Sequence, residues 1–64
     1  MANAEIRVSL TSSGVRQWEV AERLGIPETT FSRMMRRELP EEKKTAVRKA
    51  IQEIKREKLL EVNQ

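Results

Sequence analysis

The stretch QWEVAERLGIPETTFSRMMR, residues 17–36, has the pattern of two short helices joined by a tight turn. In its first half the apolar residues share one face, and Gly25 then stands where a helix ends on a left-handed residue. Ile26 is the one apolar residue of the turn, and Pro27 pre-sets the backbone for a new first turn. These signals predict helices over residues 17–24 and 28–36.

The second predicted helix has one packing face and one polar face. Phe31, Met34 and Met35 lie within about a third of a turn of one another. Polar residues at the spacing i, i+3, i+4, i+7 share the opposite face. Those polar residues are Thr29, Ser32, Arg33 and Arg36. In the helix before it, Ala21 lies at the crossing, where a larger side chain would push the two axes apart.

Length and composition restrict what the chain can do. Its 64 residues make one domain at most, and a chain of this length buries only about 60% of its unfolded surface. Without Cys or His, it lacks the usual zinc ligands and the commonest acid–base catalyst. We therefore expect no enzyme activity, no metal or other cofactor, and no small-molecule ligand.

The charge distribution points to a polyanion as the partner. The formal net charge is +3, but residues 1–30 carry three Arg and four Glu, net −1, whereas residues 31–49 carry seven Lys or Arg and three Glu, net +4. The basic excess thus lies on and just after the second predicted helix. No leader-like segment follows Met1, and no segment approaches the roughly 20 apolar residues that span a bilayer. We expect a cytoplasmic, nucleoid-associated protein without membrane contact.

The flanking sequence predicts one further helix on each side. Ile6 and Leu10, spaced i, i+4, indicate a first helix over residues 4–13, with Asn3 as its N-cap. Residues 1–3 have nothing to pack against and are expected to fray. Pro40 and the acidic residues after it predict the start of a long last helix. The expected fold is therefore all-α, a compact four-helix domain over residues 1–64 with no strands and with helices at about 4–13, 17–24, 28–36 and 41–61.

The long last helix has an apolar stripe that loses its clarity toward the end. The stripe consists of Val47, Ala50, Ile51 and Ile54. Lys58 falls where the next apolar residue should be, so the helix outruns the core that it covers. The apolar residues beyond this point are either a frayed end or the contact surface of a homodimer. These candidate dimer contacts are Leu59, Leu60 and Val62.

Trp18 is open to two interpretations. In the interpretation that we favour, Trp18 packs, and it caps the small core or lies under the last helix. In the other, its indole N–H donates a hydrogen bond to a phosphate.

Residues 17–36 resemble the helix-turn-helix of the phage Cro and C1 repressor family, also called the XRE or lambda-repressor-like family. The resemblance rests on the small, turn and core positions, which are Ala21, Gly25, Ile26, Phe31 and Met34. With the flanking helices in the right order, it covers residues 4–55. It implies that residues 28–36 enter the major groove of DNA while the preceding helix lies across the backbone.

The resemblance also implies roles for individual residues. The candidates for reading bases are Glu28, Thr29, Ser32, Arg33 and Arg36. Glu28 departs from the Gln or Ser often found at its position, and it either accepts from a cytosine amino group or only serves the helix dipole. Arg33 is the strongest candidate, because a guanidinium can donate two hydrogen bonds to guanine O6 and N7. The candidates for contacting the DNA backbone are Gln17, Thr30, Arg37, Lys43 and Lys44.

These observations predict a sequence-specific double-stranded DNA-binding protein that acts as a small transcriptional regulator of the phage or mobile-element type. A close alternative is a recombination directionality or architectural factor, like an excisionase, that shapes DNA for a recombinase. A second alternative is a protein-interaction module such as an antirepressor, whose basic surface contacts an acidic protein. Family members typically have a further short helix for dimerisation, which a single long helix replaces here.

Overall fold

The computed structural model describes the backbone of residues 1–62 and the side chains of residues 1–61. Within that part of the chain the secondary structure is all-helical, as predicted, and contains no strand. The four helices are α1 (Ala4–Ser13), α2 (Gln17–Leu24), α3 (Glu28–Met34) and α4 (Glu41–Val62). None of these helices is both long and apolar enough to cross a membrane.

One small core joins the four helices. The long helix α4 packs against both α1 and α2, and α3 packs against α2. The predicted apolar positions of every helix contribute to this core, and Ala21 is 1% exposed. The predicted stripe of α4 is buried throughout. The core residues are Ile6, Leu10, Val15, Val20, Ala21, Phe31, Met35, Leu39, Val47, Ala50, Ile51 and Ile54.

The turn between α2 and α3 forms as its sequence predicts. Gly25 has a φ of 75°, in the left-handed region that glycine enters without a steric penalty. Its N–H donates to the carbonyl oxygen of Glu22 at 3.1 Å, and the Ile26 N–H donates to that of Ala21 at 3.0 Å. This pair of bonds is a Schellman motif, which ends α2 and directs the chain into α3. The half-buried side chain of Ile26 packs on the core.

The predicted end of α3 and the predicted fraying of Asn3 are wrong. Helix α3 ends at Met34, two residues before the predicted end, so Arg36 lies in the turn that follows the helix. Asn3 is the N-cap residue of α1, as predicted, and its carbonyl oxygen accepts from the Arg7 N–H at 3.0 Å. Its side chain makes no capping hydrogen bond, and the residue is 1% exposed instead of frayed. Asn3 is buried because its side chain makes long-range hydrogen bonds to the segment after α3.

Lys58, which interrupts the apolar stripe, has polar partners just after α1 and on α2. Its ammonium group donates to the carbonyl oxygen of Gly14, at the end of α1, at 3.0 Å, and it pairs with Glu19 of α2 at 2.9 Å. The Glu19 carboxylate also accepts from the Arg16 N–H at 3.0 Å, at the start of α2. This polar cluster therefore ties α4 to the α1–α2 connection beyond the end of the core.

Candidate nucleic-acid interface

Helix α3 buries its apolar face and exposes a polar one. Phe31 is fully buried, and the half-buried Met34 packs against the core beside it. The helix starts after Pro27, whose carbonyl oxygen accepts from the Phe31 N–H at 3.1 Å. Every base-reading candidate within the helix is exposed, as is the backbone candidate Thr30. The exposed residues are Glu28, Thr29, Thr30, Ser32 and Arg33.

The last two candidates of this region, Arg36 and Arg37, lie in the turn after the helix. The Arg36 N–H donates to the carbonyl oxygen of Arg33 at 3.2 Å, and the Arg37 N–H donates to that of Met34 at 3.4 Å. Bonds of this i to i+3 type tighten the chain relative to an α-helix. Both arginines are exposed. With Arg33 they form a run of exposed cations that continues into the segment of residues 35–39, which we call the basic turn.

Asn3 holds the basic turn from inside. Its amide nitrogen donates to the carbonyl oxygens of Met35, at 3.0 Å, and of Arg37, at 2.8 Å. Its side-chain oxygen accepts from the Leu39 N–H at 2.8 Å. Both donors and the acceptor of this side chain are therefore used. Asn3 adopts the left-handed φ of 58°, which asparagine tolerates better than most residues.

Two further groups support the same turn. The Arg7 guanidinium donates to the carbonyl oxygen of Met35 at 3.0 Å. The Glu38 carboxylate accepts from the Asn3 N–H at 2.9 Å and pairs with Lys44. The backbone hydrogen bond from Asn3 and the pairing with Lys44 lower the pKa of Glu38, and Glu38 in turn raises the pKa of Lys44. These contacts fix the basic turn to both α1 and the start of α4.

The cations of the molecule divide into paired and unpaired groups. Within the described side chains, Arg33, Arg36 and Arg37 form no ion pair. By contrast, Arg23 pairs with Glu53 and Glu57. The other paired cations are Lys44, Arg48 and Lys58. Three exposed guanidinium groups within five residues are thus free to bind an external anion.

The predicted backbone contacts lie in different surroundings. Gln17 is half-buried at the first position of α2, and Lys43 is exposed in the first turn of α4. Lys43 forms no ion pair within residues 1–61, whereas the neighbouring Lys44 is held by Glu38. Lys43 is therefore the more available of the two lysines for a phosphate.

Trp18 is 50% exposed and therefore does not cap the core. It lines a shallow cleft between α2 and α4 together with Glu22, Ile54 and Glu57. Of the packing interpretation of Trp18, the position beside α4 is confirmed and the capping of the core is wrong.

Sequence reasoning missed Asn3 as a contributor to this region. Its partners lie 32 to 36 residues away, so no local pattern points to them. Among the described residues, no group of three His, Cys, Asp or Glu side chains could hold a metal ion. No protein-family model, curated protein or solved structure matches the chain.

Proposed function

We propose that this chain is a sequence-specific double-stranded DNA-binding protein that acts as a small transcriptional regulator of the Cro/C1 type. In this proposal α3 enters the major groove and α2 lies across the backbone. The observation that carries the proposal is the cluster of exposed, unpaired Arg33, Arg36 and Arg37 at the second helix of a helix-turn-helix. Unpaired guanidinium groups bind phosphates and guanine without first breaking an internal ion pair.

The roles follow from position and exposure. Glu28, Thr29, Ser32 and Arg33 are exposed on α3 and are proposed to read base edges. Arg36 lies beyond the helix, which makes it better suited to a phosphate or to the outermost base pair. The proposed backbone contacts are Gln17, Thr30, Arg37, Lys43 and Lys44. Regulation would result from occupancy of DNA, and the protein would act at the nucleoid in the cytoplasm.

We further propose that two copies associate through the end of α4. Leu59 and Leu60 are each 57% exposed, and one small module needs a partner to reach the affinity of a typical regulator. The side chain of Val62, the third predicted contact, lies outside the described residues.

The test is a titration of duplex DNA across salt concentrations. Counterion release predicts a linear fall of log affinity with log salt, with a slope of about −0.9 for each phosphate contacted. Replacing Arg33, Arg36 and Arg37 by Ala together is expected to make this slope less steep by roughly 1 to 2, because only Arg36 and Arg37 are assigned to phosphates. A slope near zero for the wild type, or no binding at low salt, would refute the proposal.

The matched control removes the same charge elsewhere. Lys49, Lys55 and Arg56 on α4 are also exposed and form no ion pair within the described side chains. Their replacement by Ala lowers the net charge equally but is expected to leave most of the slope intact. If both triple variants lost the same amount of salt slope, the protein would be a nonspecific polycation without a DNA interface at α3.

A further inference from the structure

The segment that carries Arg36 and Arg37 has little local structure to hold it. Helix α3 has ended at Met34, and α4 begins only at Glu41. Between them, the described backbone hydrogen bonds of residues 35–39 are the three from the Met35, Arg36 and Arg37 N–H groups back to α3, and none forms within the segment itself. Such a segment keeps one conformation only if other parts of the chain fix its backbone.

Asn3 supplies that constraint at three points. It binds the carbonyl oxygens of Met35 and Arg37 and the N–H of Leu39, and so brackets both arginines. Asn3 is 1% exposed and its bonds to Met35 and Leu39 are buried, so water competes little with these two bonds. Arg7 adds a second donor to Met35 at 3.0 Å. The backbone on either side of Arg36 and Arg37 is therefore fixed while their side chains remain exposed.

We infer that Asn3, supported by Arg7, is a positioning residue for DNA binding, which fixes the basic turn so that Arg36 and Arg37 are presented to phosphates. Neither Asn3 nor Arg7 needs to touch DNA for this role. The inference rests on the DNA-binding function proposed above. Its physical basis is preorganisation: a guanidinium on an ordered backbone loses less conformational entropy when it binds than one on a mobile loop.

Asn3→Gly is the appropriate variant. Glycine adopts the left-handed φ of 58° without strain, so the change removes the side-chain bonds and leaves the backbone of Asn3 allowed. We expect the affinity for duplex DNA to fall roughly five- to tenfold and the salt slope to become less steep by roughly 1 to 2. Arg7→Met, which keeps the aliphatic part of the side chain, should shift both quantities in the same direction by less. Measurements belong at a temperature where circular dichroism shows every variant to be folded.

A double-mutant cycle separates positioning from general stability. If Asn3 acts through the two arginines, Asn3→Gly should cost less than twofold in affinity when Arg36 and Arg37 have both been replaced by Ala. Ile54→Val is the control, because Ile54 is a core residue of α4 that makes no hydrogen bond to the basic turn. It should lower the unfolding temperature and leave the salt slope unchanged.

The outcomes distinguish this inference from the proposed function. If the wild type shows no salt-dependent duplex binding, the DNA-binding proposal fails, and the positioning role fails with it. If the wild type binds but Asn3→Gly costs the same factor in both backgrounds, only the positioning role is overturned. A salt slope for Asn3→Gly equal to that of the wild type would overturn it as well.

Discussion

The availability of each cation for a contact with DNA depends on the ion pairs that it already forms within the molecule. Arg33 is exposed on α3 and unpaired among the described side chains, so its five donors are available to a partner. Lys43 is also exposed, but an ammonium group is a point charge that suits a phosphate better than the paired acceptors of guanine. Lys44 must give up Glu38 before it can bind DNA. Residues of the same sign therefore differ in the kind of contact they favour.

This difference predicts different effects on specificity. Arg33→Ala should relax the preference at one base pair, with a loss of about 1–3 kcal/mol of discrimination. Lys43→Ala should weaken binding about equally for all sequences and reduce the steepness of the salt slope by about 1. Binding to a panel of duplexes with single base-pair changes, selected first for the wild type, would measure both effects. Lys44→Ala is the comparison and should change the slope less than Lys43→Ala. A uniform loss from both Arg33→Ala and Lys43→Ala would contradict the division of roles.

For the helices and turns, local sequence signals predicted the elements and missed what holds the segment after α3. Gly25 and Pro27 determine the turn by their own backbone preferences, and the apolar spacing identified the buried faces of all four helices. The segment after α3 is held instead by Asn3, whose partners are 32 to 36 residues away. The exposed face of α3 was predictable from periodicity, whereas the position of Arg36 in a turn was not. An Asn near the N-terminus can serve several structural purposes, and the purpose of Asn3 becomes clear only from its hydrogen-bond partners.

The polar cluster of Glu19 and Lys58 shows how elements are joined beyond the core. Burial disfavours the charged form of Glu19, but the hydrogen bonds from Lys58 and from the Arg16 N–H outweigh it and lower the pKa of Glu19 below its ordinary value of 4.5. A carboxylate with a lowered pKa in the folded state stabilises the fold above its unfolded pKa. That contribution is lost as the pH falls through the folded pKa. Glu38, whose pKa is also lowered, contributes in the same direction.

Acid unfolding of a Glu19→Gln variant tests this linkage. Glutamine keeps an acceptor for the Arg16 N–H but loses the charge that pairs with Lys58, so we expect a loss of about 0.5–1 kcal/mol at pH 7. Between pH 5 and pH 3 the free energy of unfolding should fall less steeply for the variant than for the wild type. Urea titrations across this range give the comparison. Glu22→Gln, on the exposed face of the same helix, is the control and should follow the wild type. Parallel curves for the wild type and Glu19→Gln would show that the cluster contributes nothing to the pH dependence.

The shape of the whole molecule is set by the length of α4. The molecule extends 38 × 21 × 18 Å, and the 22 residues of α4 account for about 33 Å at 1.5 Å per residue. The helix passes the last core residue, Ile54, and beyond Lys58 it presents Leu59 and Leu60 to solvent. Adjacent exposed leucines at the end of a helix suit self-association, although they are too few to bury the roughly 1,200 Å² of a stable interface alone. Pairing is therefore expected to depend on DNA holding two copies side by side.

Replacing both leucines by Gln tests pairing without disturbing the domain. Truncation after Lys55 would also remove Lys58 and Glu57, which contact α1 and α2, so substitution is the cleaner change. Glutamine favours helix and removes the apolar surface, and we expect the double variant to fold normally. It should bind a single half-site as tightly as the wild type but lose the cooperative filling of two adjacent half-sites, a loss of roughly 10-fold or more in overall affinity.

Val8 provides the matched control for this experiment, because it is an apolar residue of α1 that is 65% exposed, and Val8→Gln should retain full cooperativity. Sedimentation at high protein concentration, with and without a duplex carrying two half-sites, measures the number of copies directly. The contrary result is a wild type that fills the two half-sites independently, with the same affinities as the variant in which both Leu59 and Leu60 are Gln. That result would show that the end of α4 does not join two copies. In that case each domain would meet DNA alone, and its affinity would come only from α3, the basic turn and the phosphate contacts proposed for Gln17, Lys43 and Lys44.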